Sequence, residues 1–231
     1  MATFQGLEPV YQETTPSIIA AKLRLGIMNG SIPQGTQLAE AQLAKQLQVS
    51  RGPVREAMQR LVQEGLLRSE RHRGLFVITL QPDDVWDIYL ARVAVERAAV
   101  MKLLHREAAV PPELEDVVKQ METAAIQDLW PVLFDLDIRF HDLLVGASGS
   151  SRLQRMYRTL LVESRMCIAG LRPRYSQAEE LAAEHRQLLD AVHSGDQRRA
   201  LELIDAHMLD AVERMTGGEA SEPGEHPVAA S

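Results

Sequence analysis

Four side chains in the second half of the chain combine the chemistry of metal ligands with the spacing of a buried helix face: Asp137, His141, His185 and His207. Asp137 and His141 stand four residues apart, one turn of helix, so both donors can reach one ion; Leu133 and Leu144 share their stripe. His185 falls between Leu181 and Leu188 on a stripe that continues to Leu189 and Val192, and His207 lies between Leu203 and Ala211. Pointing a carboxylate and three imidazoles from three helices into an apolar interior is costly unless something compensates. A divalent cation does so; internal hydrogen bonds alone are the plainer alternative. Imidazole suits zinc, nickel, copper and iron, and carboxylate also accepts manganese. The expected cofactor is one divalent metal ion per chain: zinc, nickel or manganese. Three His and one Asp either close a tetrahedral site or leave open positions in an octahedral one, where a ligand carboxylate could bind.

A second group lies earlier, in the nine residues V-S-R-G-P-V-R-E-A from Val49 to Ala57. Ser50 has the type of a helix N-cap, and Pro53 in the first turn has little backbone donor to lose. Arg51 and Arg55, four apart, project as neighbours on one side of the helix. The other side is apolar, with Val54, Met58, Leu61 and Val62 at i, i+4, i+7 and i+8. A helix that leads with a polar cap and paired arginines, its rear held in a core, is shaped to enter a groove of double-stranded DNA. A solvated charged face is the plainer reading.

These groups need elements to hold them. The spacing predicts short helices over residues 16–28, 38–47 and 50–63, with Asn29-Gly30 ending the first, a turn at Ile32-Pro33-Gln34-Gly35, Leu43 and Leu47 facing inward, and Gly65 as the last stop. Leu66 to Ser69 and Leu75 to Leu80 read as strands around the turn Glu70-Arg71-His72-Arg73-Gly74. Three helices and a basic hairpin make a winged helix-turn-helix, whose wing would carry Arg71, His72 and Arg73 near the DNA backbone or minor groove. Helical pattern then dominates, near 84–107, 113–128, 130–147, 151–171, 176–194 and 197–215, which is the plan of an antiparallel bundle of six to seven helices. The expected fold is therefore mainly α: a DNA-binding domain over 1–81, a helical domain over 82–216, and a disordered tail over 217–231 rich in Gly, Glu, Pro and Ala.

The net charge of −7 hides an asymmetry. Residues 1–81 carry nine Lys or Arg against six Asp or Glu, a net +3, whereas residues 82–231 carry 16 against 26, a net −10. Only the first part is expected to touch a polyanion. At 231 residues and 45% hydrophobic content the chain can build real cores. No run of eighteen apolar residues occurs and M-A-T-F-Q-G-L-E lacks the basic and apolar regions of a signal peptide, so a cytoplasmic protein without a membrane partner is expected. The lone Cys167, between Met166 and Ile168, reads as a packed thiol.

The order of parts, and the stretch L-A-K-Q-L-Q-V-S-R-G-P-V-R-E-A-M-Q-R-L-V-Q-E-G-L-L in particular, resembles the GntR family of bacterial transcription regulators, in its FadR-like branch with an all-helical (FCD-type) effector domain. The resemblance covers residues 16 to 215. It implies DNA contacts from Arg51, Arg55 and the tip of the wing at Gly74; Ser50, Gly52, His72 and Arg73 complete the candidate DNA-binding set. Two positions depart from the family: Gly52 stands where threonine is usual, leaving only a backbone N–H, and Ala41 stands where a basic residue is common. The branch also implies a metal held by an Asp-x3-His pair and two later histidines, which match Asp137, His141, His185 and His207, and an organic acid bound at open metal positions.

Arg92 is the candidate for a second effector contact. It shares a face with Tyr89, Ala99, Val100 and Leu103, and a guanidinium there can clamp a carboxylate bidentately. An internal pair with Glu96, one turn on, is the equal alternative. Arg139 faces elsewhere, and His105, His193 and His226 lie near helix ends or in the tail.

The reading is a DNA-binding transcription regulator and not an enzyme: a repressor, working as a homodimer on operator DNA, that answers to a small carboxylate bound at a divalent metal. Effector binding would move the DNA-reading heads through a linker near Gln81 to Asp84. A regulator sensing metal alone is one alternative. A metal-dependent helical enzyme with a nucleic-acid module is another, disfavoured because no Glu-x-x-His surrounds the ligands and no P-loop or G-x-S-x-G occurs.

Overall fold

The structure, a computed structural model, describes residues 14–106, 109–171 and 177–217. The described residues divide into two compact units, one of 14–27 with 31–78, the other of 28–30 with those from 79 to 217. The first contains α1 (Thr15–Met28, its last residue in the other unit), β1 (Gln37–Leu38), α2 (Glu40–Leu47), α3 (Arg51–Gln63), β2 (Leu67–Glu70) and β3 (Gly74–Val77). The second contains α4 (Pro82–His105), α5 (Pro112–Ile126), α6 (Trp130–Ala147), α7 (Ser151–Leu171), α8 (Ala178–His193) and α9 (Gln197–Thr216).

In the first unit, α3 buries Val54, Ala57, Met58 and Leu61 and leaves Val62 half-buried. It is tied to α1 by a bidentate Arg24–Glu64 pair at 2.7 and 2.8 Å and by an Arg60–Ser17 hydrogen bond. Gly65 adopts φ +76 just past the helix end, a conformation glycine takes without strain. The hairpin of β2 and β3 pairs Leu67 with Val77 and Glu70 with Gly74.

Two local expectations are corrected. Leu38 does not open a helix: it pairs with Leu75 in a third strand, giving the sheet order β1-β3-β2. The turn ending at Gly35 leaves Thr36 to Leu38 extended alongside β3, where Gly35 N donates to Val77 O and Val77 N to Thr36 O, and α2 begins only at Glu40. Within α2 the fully buried residue is Ala44, while Leu43 and Leu47 are half-buried. The proposed linker is helical from Pro82: the Gln81 side chain and the Asp84 carboxylate cap α4 reciprocally.

In the second unit, α4 packs on α9, α7 and α6, and α5 on α6 and α8. Its main apolar core among the described residues runs from Val85 and Leu103 through Val117, Met121, Phe140, Leu144 and Leu189 to Ile204 and Val212, with a smaller cluster of Val95, Ala99, Val145 and Tyr157 beside it. Cys167 is buried in the main core, and burial pushes its thiol up to about 12, which fits a packed, unreactive group. Gly217 ends α9 at φ +68; the rest of the expected tail, with His226, lies outside the described residues. No described helix is long and apolar enough to cross a membrane.

Candidate metal centre and nucleic-acid interface

A group of buried titratable residues interrupts the core. Asp137 and His141 from α6, His185 from α8 and His207 from α9 meet there, all buried, with one donor atom from each lying within 4.8 Å of the others. His141 Nε2 is 3.1 Å from His207 Nε2 and 3.3 Å from His185 Nε2. Asp137 Oδ1 stands 3.1, 3.8 and 3.9 Å from Nε2 of His185, His207 and His141. Donors about 2.0–2.1 Å from a zinc ion in a tetrahedral site are about 3.3 Å from each other.

The outer nitrogens explain why the inner ones converge. His141 Nδ1 lies 2.7 Å from Glu96 Oε2, His207 Nδ1 2.7 Å from Glu184 Oε2, and His185 Nδ1 2.8 Å from the Leu181 carbonyl. Ionised carboxylates and carbonyls only accept, so each imidazole carries a proton on Nδ1 and directs Nε2 inward. Without a cation those inner nitrogens and Asp137 need protons between them. Burial lowers His141 to about 4 against the pull of Glu96, so it is neutral at pH 7. Burial also opposes charge on His207, but its bond to Glu184 and the Asp137 charge raise it above the ordinary range. Burial would raise Asp137, yet the His185 hydrogen bond and the three imidazoles hold it well below the usual carboxylate range. The donor set, three nitrogens and an oxygen with their outer partners in place, fits a divalent ion.

Arg92, 1% exposed, lies beside this cluster on α4. Its Nε donates to Glu96 Oε1 at 3.2 Å, and its guanidinium stacks on Tyr89 at 4.7 Å. The internal pair with Glu96 is thus formed. Nη2 is also 3.2 Å from that oxygen, but no N–H points at it, and it is left buried without a hydrogen bond. A cavity of about 10 Å³, enough for one water molecule, touches Arg92, Asp137, His207, Tyr89, Phe134 and Met215. Glu96, itself fully buried, accepts the Tyr157 hydroxyl as well; burial alone would raise it, but His141, Arg92 and Tyr157 hold it at about 2. Sequence reasoning met Glu96 only as a partner of Arg92 and missed Glu184 and Tyr157, whose neighbours come from other helices.

In the first unit the arginine face is exposed. Arg51 has no hydrogen bond or ion pair among the described residues, whereas Arg55 is held by Glu40 through contacts of 2.9 to 3.1 Å. Ser50 sits at the N-cap position but its side chain makes no capping bond, a correction to its expected role that leaves the first amides of α3 open. An added Cβ at Gly52 meets nothing within 4 Å. At the wing, His72 and Gly74 take positive φ, +62 and +103, and Arg73 pairs with Glu70 and lies over Phe76. The Gln37 side chain from β1 donates to the Arg73 carbonyl.

Two family models match the chain: "Bacterial regulatory proteins, gntR family" over residues 16–77 and "FCD domain" over 87–210. The HTH-type transcriptional regulator YdhC of Bacillus subtilis is 30% identical over 192 residues, 80% of this chain and 84% of that protein. The gluconate operon transcriptional repressor of the same organism is 29% identical over 198 residues, 82% and 79% of the two chains. Among solved structures, a GntR transcriptional regulator from Rhodococcus sp. RHA1 (TM-score 0.72, 24% identity, 87% and 97% covered) and E. coli McbR/YncC (0.75, 20%, 90% and 99%) share the fold. These families and relatives are transcription regulators, as the sequence reading expects. The chain belongs to the GntR family, as a DNA-binding transcription regulator of the FadR-like branch with an FCD domain.

Proposed function

We propose that this regulator is a cytoplasmic homodimeric repressor in which residues 1–81 bind operator DNA and residues 82–216 sense a small organic acid at a divalent metal. The observation that carries the sensing half is the set of three imidazoles, each with Nδ1 committed to an oxygen, whose Nε2 atoms converge with Asp137 Oδ1. Asp137, His141, His185 and His207 would hold the ion, which supplies a Lewis-acidic position for a carboxylate oxygen. Arg92 contributes the other contact, through the Nη2 left without a partner at the cavity. Relatives named for a gluconate operon and an L-lactate dehydrogenase operon support an organic acid as the ligand class.

On DNA, Arg51 and Arg55 read base edges, the open amides of Arg51 and Gly52 take a phosphate at the start of α3, and His72, Arg73 and Gly74 of the wing approach the backbone beside Ser50. Homodimerisation follows from two half-sites read with two-fold symmetry. Elemental analysis of protein purified without an affinity tag tests the metal: about one divalent ion per chain is expected, lost in His185→Ala, and a metal-free wild type overturns this half. Thermal shift with organic acids, before and after chelation, separates an acid sensor from a sensor of metal alone.

A further inference from the structure

We infer that Glu96 is a positioning residue that couples the anion-binding Arg92 to the metal ligand His141, so that metal and carboxylate strengthen each other's binding. This rests on the metal and effector reading above. Glu96 is fully buried and divides its two oxygens: Oε2 accepts from His141 Nδ1 at 2.7 Å, while Oε1 accepts from Arg92 Nε at 3.2 Å and from the Tyr157 hydroxyl. Orienting an imidazole does not require this. The Leu181 carbonyl does it for His185, and Glu184, about a quarter exposed and facing Arg214, does it for His207.

Of the three outer partners of the imidazoles, the Glu96 carboxylate alone also pairs with the Arg92 guanidinium, whose Nη2 has no hydrogen bond. A cation on His141 Nε2 polarises the Nδ1–H and draws the Glu96 charge toward the imidazole. Arg92 is then less neutralised and attracts an anion more strongly. The same exchange runs in reverse, since a coupling free energy between two sites is reciprocal.

The test uses full-length protein, zinc as the metal, and acetate, lactate and gluconate as carboxylates, with zinc affinity read by competition against a chromophoric chelator. Wild type should bind zinc at least about 5-fold more tightly when saturated with a bound carboxylate. Glu96→Gln should weaken zinc by about 10- to 100-fold and shrink the carboxylate effect to the part that direct ligation of the metal by the acid supplies. Glu184→Gln should weaken zinc while keeping that effect, which separates coupling from simple support of an imidazole. Glu96→Asp, which withdraws the charge by one methylene, gives the same loss of coupling and serves if the Gln variant does not fold. A carboxylate effect as large in Glu96→Gln or Glu96→Asp as in wild type overturns the inference, as does wild-type zinc binding indifferent to all three acids; both leave the metal reading standing. Wild type that binds no zinc defeats the metal reading itself.

Discussion

The molecule uses the same ion pair in two settings. Arg55 is held by Glu40 at the protein surface, its side chain 63% exposed, and Arg92 is held by Glu96 in the core at 1%. At the surface, water competes for both partners and the pair is worth little. Arg55 can therefore leave Glu40 for a base or a phosphate at small cost, which suits a residue that must find a polyanion. In the core, neither charge has water to return to, and losing one strands the other. Arg92 and Glu96 are fixed in place, which suits a site whose geometry must stand ready. An Arg–Glu pair is a parking place in one region and a structural commitment in the other.

The comparison breaks most visibly in stability. Arg92→Ala, which leaves the Glu96 carboxylate buried without its guanidinium, should cost about 3–5 kcal/mol in urea denaturation. Arg55→Ala should leave the urea midpoint unchanged; a loss there would show that the surface pair is structural after all.

Metal removal should come next. Stripping the ion with chelator removes the stabilisation that a ligand at 1,000 times its dissociation constant provides, about 4 kcal/mol, seen as a lower melting temperature recovered on adding zinc. The pH dependence has a definite sign. His207, with its pKa raised, takes a proton that a metal must displace, so metal affinity should fall as the pH drops from neutral toward 5. His141, at about 4, should add its own loss only in stronger acid. Zinc titrations at pH 5 and 7.5 check this, and equal affinities would contradict it.

On DNA, Arg51→Ala and Arg55→Ala should each weaken binding to the promoter fragment by about 5- to 150-fold at moderate salt while folding is unchanged. Unchanged binding by both variants would remove α3 from the interface. The smallest effect concerns Gly52. With open space around an added Cβ, Gly52→Ala should stabilise the protein by about 0.5–1 kcal/mol by replacing the residue that loses most backbone freedom on folding.

Much of this was readable along the chain because helices repeat at short range. The third helix, expected over 50–63, spans 51–63, and its rear face buries three of the four expected residues, with Ala57 taking the place of Val62. Asp137 and His141 were legible as a pair because one helical turn separates them. The strand at Gln37–Leu38 was not: two residues carry no alternation, and their partners are nearly forty positions away in β3. Nor was the capped start of α4, where a Pro-Asp-Asp run looks like a connector until the Gln81 and Asp84 side chains close on the backbone.

The sequence by itself determined the helices and the wing hairpin to within a few residues, the charge division between the two parts, and the residue types able to grip DNA or metal, because helix and hairpin patterns depend on near neighbours and charge and residue type on composition. Tertiary structure alone decided that four ligating atoms from three helices meet, that Glu96, Glu184 and a backbone carbonyl turn three imidazoles inward, and that Arg92 keeps one nitrogen without a hydrogen bond beside them. Those contacts join residues 23 to 70 positions apart, apart from the helical turns at Leu181, Glu96 and Asp137, and burial makes them matter by withdrawing the water that would otherwise satisfy every one.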